Sequence, residues 1–235
     1  MIDLTDPVAT ITRLFEGEKY SEIIRYCRLM LEKDPRDMTG LQNLAMAHIR
    51  LDEYQDALDA CEKVLGIDSS DEYALKNKVL ALEGLRRFDE IPGFCEKLLS
   101  MDAKDVWALN SMGMALGQLG KDEESAVFYD RALAEEPKNV TSLMNKALAM
   151  YRMNYFDESA DLYDRVQQAD PAIKAAAAAK SDAYSRSGRK DEAFLAAQGL
   201  LAEEMKGIIS RAAENKCTVF HQFCQDEFDE KEKGR

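Results

Sequence analysis

VWALNSMGMALGQLGKDEESAVFYDRALAEEPKN, residues 106–139, holds two short helices and the signals that bound them. Leu109, Met112, Gly113 and Leu116 fall at i, i+3, i+4 and i+7, one face of a first helix. Gly120 closes that helix, because glycine enters the left-handed conformation of a helix C-cap without a steric penalty. Asp122, Glu123 and Glu124 open a second helix, where carboxylates suit the exposed N–H groups and the positive end of the helix dipole. Ala126, Tyr129, Ala132 and Leu133 form the inner face of this second helix. Pro137 ends the unit, since proline cannot continue a helix.

The same unit recurs in both directions at a spacing of 34 residues. Cys27, Cys61 and Cys95 are one register, continued by Tyr129 and Tyr163. Tyr20, Tyr54, Phe88 and Phe156 make a second register, interrupted by Asp122. Pro35, Pro137 and Pro171 make a third, with Ser69 and Ala103 in the intermediate places. Acidic pairs at 89–90, 123–124, 157–158 and 191–192 make a fourth. Composition agrees: Gly and Pro are scarce, and Ala, Leu, Glu and Lys favour helices.

With 34 residues per unit and this pattern of small, large and proline positions, the chain resembles the tetratricopeptide repeat (TPR) family. The resemblance covers residues 4–207, close to the whole chain, as repeats 4–37, 38–71, 72–105, 106–139, 140–173 and 174–207. It implies an all-α, right-handed solenoid of about six helix–turn–helix repeats. Residues 208–235 follow as an amphipathic capping helix ending in a frayed tail, DEKEKGR. Two features depart from the family pattern. Lys78, Lys146 and Lys180 stand at first-helix positions that usually hold a large apolar residue, and the expectation is that their ammonium groups snorkel outward. The five-alanine run 175–179 offers little apolar surface, which predicts a weaker last repeat.

Stacked repeats leave one concave face lined by first helices, where partners of the family usually lie. The register assigns to it Gln42, Met46, Ile49 and Arg50 from the second repeat, and Tyr73, Lys76 and Leu80 from the third. The fourth repeat supplies Trp107, Asn110, Met114 and Gln118, and the fifth Met144, Leu148, Tyr151 and Arg152. Carboxylates are missing from this set, whereas Met, aromatic and aliphatic residues abound, which predicts a groove for a partner's peptide or amphipathic helix with Trp107 as anchor. The other reading makes Trp107 and the methionines inter-repeat filler. Asn43, Asn77 and Asn145 sit at the asparagine position that some family members use to clamp a terminal carboxylate. Tyr73, Trp107 and Thr141 replace the lysine such a clamp needs, so that role is disfavoured.

A net charge of −13 and a pI near 4.7 argue against nucleic acid and an anionic membrane as partners. The opening MIDLTDPVATI lacks the basic flank and apolar core of a secretory leader, so the expected location is cytoplasmic with free thiols. Cys27, Cys61 and Cys95 read as one buried position repeated, and His48 as a structural histidine. Cys217, His221 and Cys224 share a helix face but lack a fourth ligand, so they are a weak metal candidate against an apolar stripe with Phe220, Phe223 and Phe228. No catalytic motif and no cofactor motif is present. The function expected is a protein–protein interaction scaffold without catalysis. The alternatives are self-association through the C-terminal helix, or a regulatory or targeting subunit of an enzyme complex.

Overall fold

The structure is a computed structural model that describes residues 6–233, with side chains through Phe228. It contains fourteen α-helices and, among the described residues, no strand. The helices are α1 (Pro7–Glu16), α2 (Tyr20–Lys33), α3 (Met38–Arg50), α4 (Tyr54–Ile67) and α5 (Glu72–Gly84). There follow α6 (Ile91–Met101), α7 (Val106–Gln118), α8 (Asp122–Glu135), α9 (Val140–Arg152) and α10 (Phe156–Ala169). The last four are α11 (Lys174–Arg186), α12 (Lys190–Ala197), α13 (Ala202–Glu214) and α14 (Val219–Lys233). No helix among the described residues is long and apolar enough to cross a membrane.

Two compact units divide between Gly120 and Lys121. In the first, α1 to α7 pack each on the next; in the second, α8 to α12 do the same. The residues at the turns that follow the first helices are Glu18, Asp52, Arg86, Gly120, Asn154 and Gly188, all at positive φ between 52° and 82°. They are spaced by 34, so the left-handed cap read at Gly120 is the general rule of the chain even where glycine is absent. At the other end of each hairpin, Asp37, Asp71, Asp105 and Asn139 cap α3, α5, α7 and α9 by accepting from the backbone N–H three residues on.

The expected inner faces are buried. Leu109, Met112 and Leu116 close one side of α7, and Ala126, Tyr129, Ala132 and Leu133 one side of α8. Cys27, Cys61 and Cys95 are fully buried, with Tyr129 and Tyr163 nearly so. One second helix starts late. Phe88–Glu90 form a 3-10 turn and α6 begins only at Ile91, because Pro92 tolerates the first turn of a helix but not its interior.

Two expectations fail at the C-terminal end. The sixth repeat, expected to extend to Gly207, has a second helix that stops ten residues earlier, at Ala197, and Gly199 takes a φ of 86°. Glu204 accepts from the Leu201 N–H and starts α13, so Gly207 lies inside a helix rather than between two. A second break at Lys216, also at positive φ, makes 202–233 a pair of helices instead of one. Both pack on α12, where Phe220 and Phe223 of α14 meet Phe194 edge-on. The tail expected to fray carries helical backbone to Lys233, and its side chains and last two residues lie outside the described residues.

Lysine 180 is the other correction. Lys78 and Lys146 do reach exposed carboxylates, Glu62 at 3.1 Å and Asp130. Lys180 does not snorkel: it is fully buried, with Nζ 2.7 Å from Asp164 Oδ1 and donating to the Leu200 carbonyl at 2.7 Å. The three carboxylates each stand sixteen residues before their lysine, so a second helix answers a lysine of the next first helix. Asp164 also accepts from the Ala202 N–H at 2.8 Å, which fixes the loop between α12 and α13.

Candidate functional site

In the first unit, α3, α5 and α7 each present one row of side chains outside the core. Met46, Leu80 and Met114 are half-buried, Arg50 is exposed, and Tyr73 is 71% exposed. Half-exposed apolar side chains on three successive first helices are what a partner's apolar groups can complete. Trp107 belongs partly to the core, packing against the cluster of Leu75, Leu98 and Ala108. Its ring also receives the Lys76 ammonium at 5.5 Å from the centroid.

Asn110 does not line the face; it is buried. The face is also not free of carboxylates, because helix-capping aspartates lean onto it. Asp71, which caps α5, accepts from Gln42 Nε2 at 2.7 Å. Asp105, which caps α7, lies 3.0 Å from Lys76 Nζ, and Glu72 lies 2.7 Å from it. Partial burial alone would lower the Lys76 pKa, but these two bonds outweigh it and raise it, so Lys76 is a fixed cation. Each cap thus ties its own helix to the preceding first helix. The Asp37, Asp71 and Asp105 spacing was available in the sequence as a fifth register and is the signal that would have found this. Asn43 donates to the Thr39 carbonyl and Asn77 is buried, so neither is displayed as a carboxylate clamp requires.

In the second unit, Leu148 on α9 is 40% exposed and Met144 is half-buried against the core around Leu143 and Val166. Tyr151 and Arg152 are engaged within the chain. The Tyr151 hydroxyl donates to Asp182 and accepts from Arg186 Nε at 3.0 Å, and its ring stacks edge-on against Phe156. The Arg152 guanidinium lies 3.5 Å from Asp122.

The weak metal candidate is not assembled. Cys217 precedes α14 and its thiol points to Gln222 Oε1, while His221 and Cys224 lie on the helix itself. Among the described residues the one set of His, Cys or carboxylate ligand atoms lying within 4.8 Å of one another is His48, Glu53 and Asp56. His48 is buried, and its Nδ1 is 2.6 Å from Glu53 Oε2.

A family model described as the N-terminal TPR repeats region of Psidin matches residues 49–162. No curated protein matches the chain. Among solved structures, PilW, a type IV pilus biogenesis factor, is 15% identical with a TM-score of 0.74, over 86% of this chain and 96% of that one. A tetratricopeptide repeat protein from Parabacteroides merdae is 17% identical with a TM-score of 0.70, over 81% and 76%. YrrB, described as a TPR protein with an unusual peptide-binding site, is 18% identical with a TM-score of 0.60, over 72% and 88%. With its 34-residue spacing of turns, caps and buried aromatic positions, and with these matches, the chain is a tetratricopeptide-repeat protein.

Proposed function

We propose that this chain is a protein-interaction scaffold without catalysis, and that the first-helix face of its first unit holds a peptide or amphipathic helix of another protein in the cytoplasm. One observation carries this reading: Met46, Tyr73, Leu80, Trp107 and Met114 leave apolar surface exposed across α3, α5 and α7. Arg50 gives that surface an exposed cation in a chain of net charge −13, while Lys76 is already paired with Glu72 and Asp105. A peptide-binding TPR relative of the same fold supports the class of partner.

Trp107 is the single tryptophan, so its emission reports on this face. Peptides selected on the wild-type chain should shift that emission and bind at least about tenfold more weakly to Tyr73→Ser/Leu80→Ser/Met114→Ser. Equal affinity for both chains, with unchanged emission, would place the binding surface elsewhere. A second reading, self-association, is favoured by Phe220 and Phe228, each 61% exposed on α14. A sedimentation mass that stays monomeric over a hundredfold range of concentration would remove it.

A further inference from the structure

In five of the six left-handed turns spaced by 34, the residue after the turn donates its N–H to a carbonyl five residues earlier. The bonds run from Lys19 to Leu14, Glu53 to His48, Arg87 to Leu82, Tyr155 to Met150 and Arg189 to Tyr184. The first residue of the returning pair is therefore held over the last turn of the preceding helix. In most turns it is basic and joins an acidic residue three places on: Lys19 with Glu22, Arg87 with Glu90, Lys121 with Glu124, Arg189 with Glu192.

The second hairpin inverts this arrangement. Glu53 replaces the basic residue, Asp56 stands at the acidic place, and His48 occupies a position that is apolar or aromatic in the other hairpins. Two carboxylates at i and i+3 repel where the other turns attract. Into this pair points a buried imidazole nitrogen, with all three ligand atoms within 4.8 Å of one another. His48 and Asp56 also line an open cavity of about 450 Å³ that admits water and whose charged lining is otherwise balanced, Glu32 and Asp59 against Arg28 and Lys63. One imidazole and two carboxylates match the protein ligands of a water-completed zinc-class site, which takes nitrogen and oxygen donors at about 2.0–2.2 Å.

We propose that His48 Nδ1, Glu53 and Asp56 bind one divalent transition-metal ion of the zinc class, with water completing its coordination. The ion supplies the positive charge that a lysine or arginine supplies in four of the other turns, and it fastens the end of α3 to the start of α4. Because all three ligands come from one turn, the site is complete within one hairpin.

The test is a Co²⁺ titration of the full-length, metal-stripped chain followed by absorption, with Zn²⁺ as competitor. The expected result is one ion per chain, an absorption spectrum without thiolate charge-transfer bands, and displacement by Zn²⁺. Binding should persist in Cys217→Ser/His221→Gln/Cys224→Ser and weaken at least about tenfold in Glu53→Gln/Asp56→Asn. The latter pair is exposed, so the variant keeps its fold, whereas replacing buried His48 endangers it. No saturation by about 1 mM ion overturns the proposal. So does binding that survives Glu53→Gln/Asp56→Asn, or that disappears with the C-terminal cysteines.

Discussion

Glu18, Asp52, Arg86 and Asn154 hold a conformation that Gly120 and Gly188 adopt at the same place without cost. For an L-residue the left-handed region costs roughly 1–2 kcal/mol, less for Asn and Asp, while glycine loses about 0.5–1 kcal/mol more backbone entropy on folding. At Glu18, exposed, relief of strain exceeds the entropy term. Glu18→Gly should therefore stabilise the chain by up to about 1 kcal/mol, and Asn154→Gly by less. Denaturant midpoints decide it, and a lower midpoint for Glu18→Gly would show that its side chain contributes more than its backbone costs. The buried thiols give a second residue-scale expectation. Burial above all pushes Cys27, Cys61 and Cys95 up to about 12, so they stay protonated and inaccessible in the folded chain. At about pH 8 a thiol reagent should label Cys224, then half-buried Cys217, and reach the other three only on unfolding. Rapid native labelling of Cys61 would mean that α3 and α4 open locally.

At the scale of elements, the α11 helix shows where local composition misleads. Its alanine run offers little apolar surface, and the fastening comes instead from one charged pair. Lys180 and Asp164 are both buried, and between them they bond Leu200, Ala202 and Gln168. Removing one member of a buried pair leaves the other charge uncompensated, which costs about 3–5 kcal/mol. Lys180→Met should lose that much from the second unit. In the double variant with Asp164→Leu the loss should fall short of the two single losses combined by at least about 1 kcal/mol, measured as a double-mutant cycle. Strict additivity would show that the two groups are stabilised separately. The helices themselves were legible because every hairpin repeats the same small, aromatic and capping places at 34 residues. What was not legible depends on partners distant in sequence. The period tells which way Lys180, Asn110 and Tyr151 face, but not that Asp164 waits sixteen residues upstream of Lys180, that Asn110 is enclosed, or that Asp182 and Arg186 hold the Tyr151 hydroxyl. The break at Gly199 escaped for a related reason: the register continues past it to Gly207, and only the bonds from Gln167, Lys180 and Asp164 to residues 199–202 select the earlier stop.

For the whole molecule, the repeat architecture sets how far a local loss spreads. Within each unit a hairpin buries its apolar face mainly against its sequence neighbours. In such a chain stability is close to a sum of repeat terms and nearest-neighbour interfaces. A defect at Lys180 should then open α10 to α14 while leaving protection in α2 to α5 as in the wild type. Hydrogen exchange of Lys180→Met, followed peptide by peptide below the unfolding transition, measures this directly. The expected pattern is faster exchange centred on α11 and the 198–202 loop, declining toward α8. Uniformly faster exchange through α2 to α5 would mean that the chain unfolds as one cooperative block.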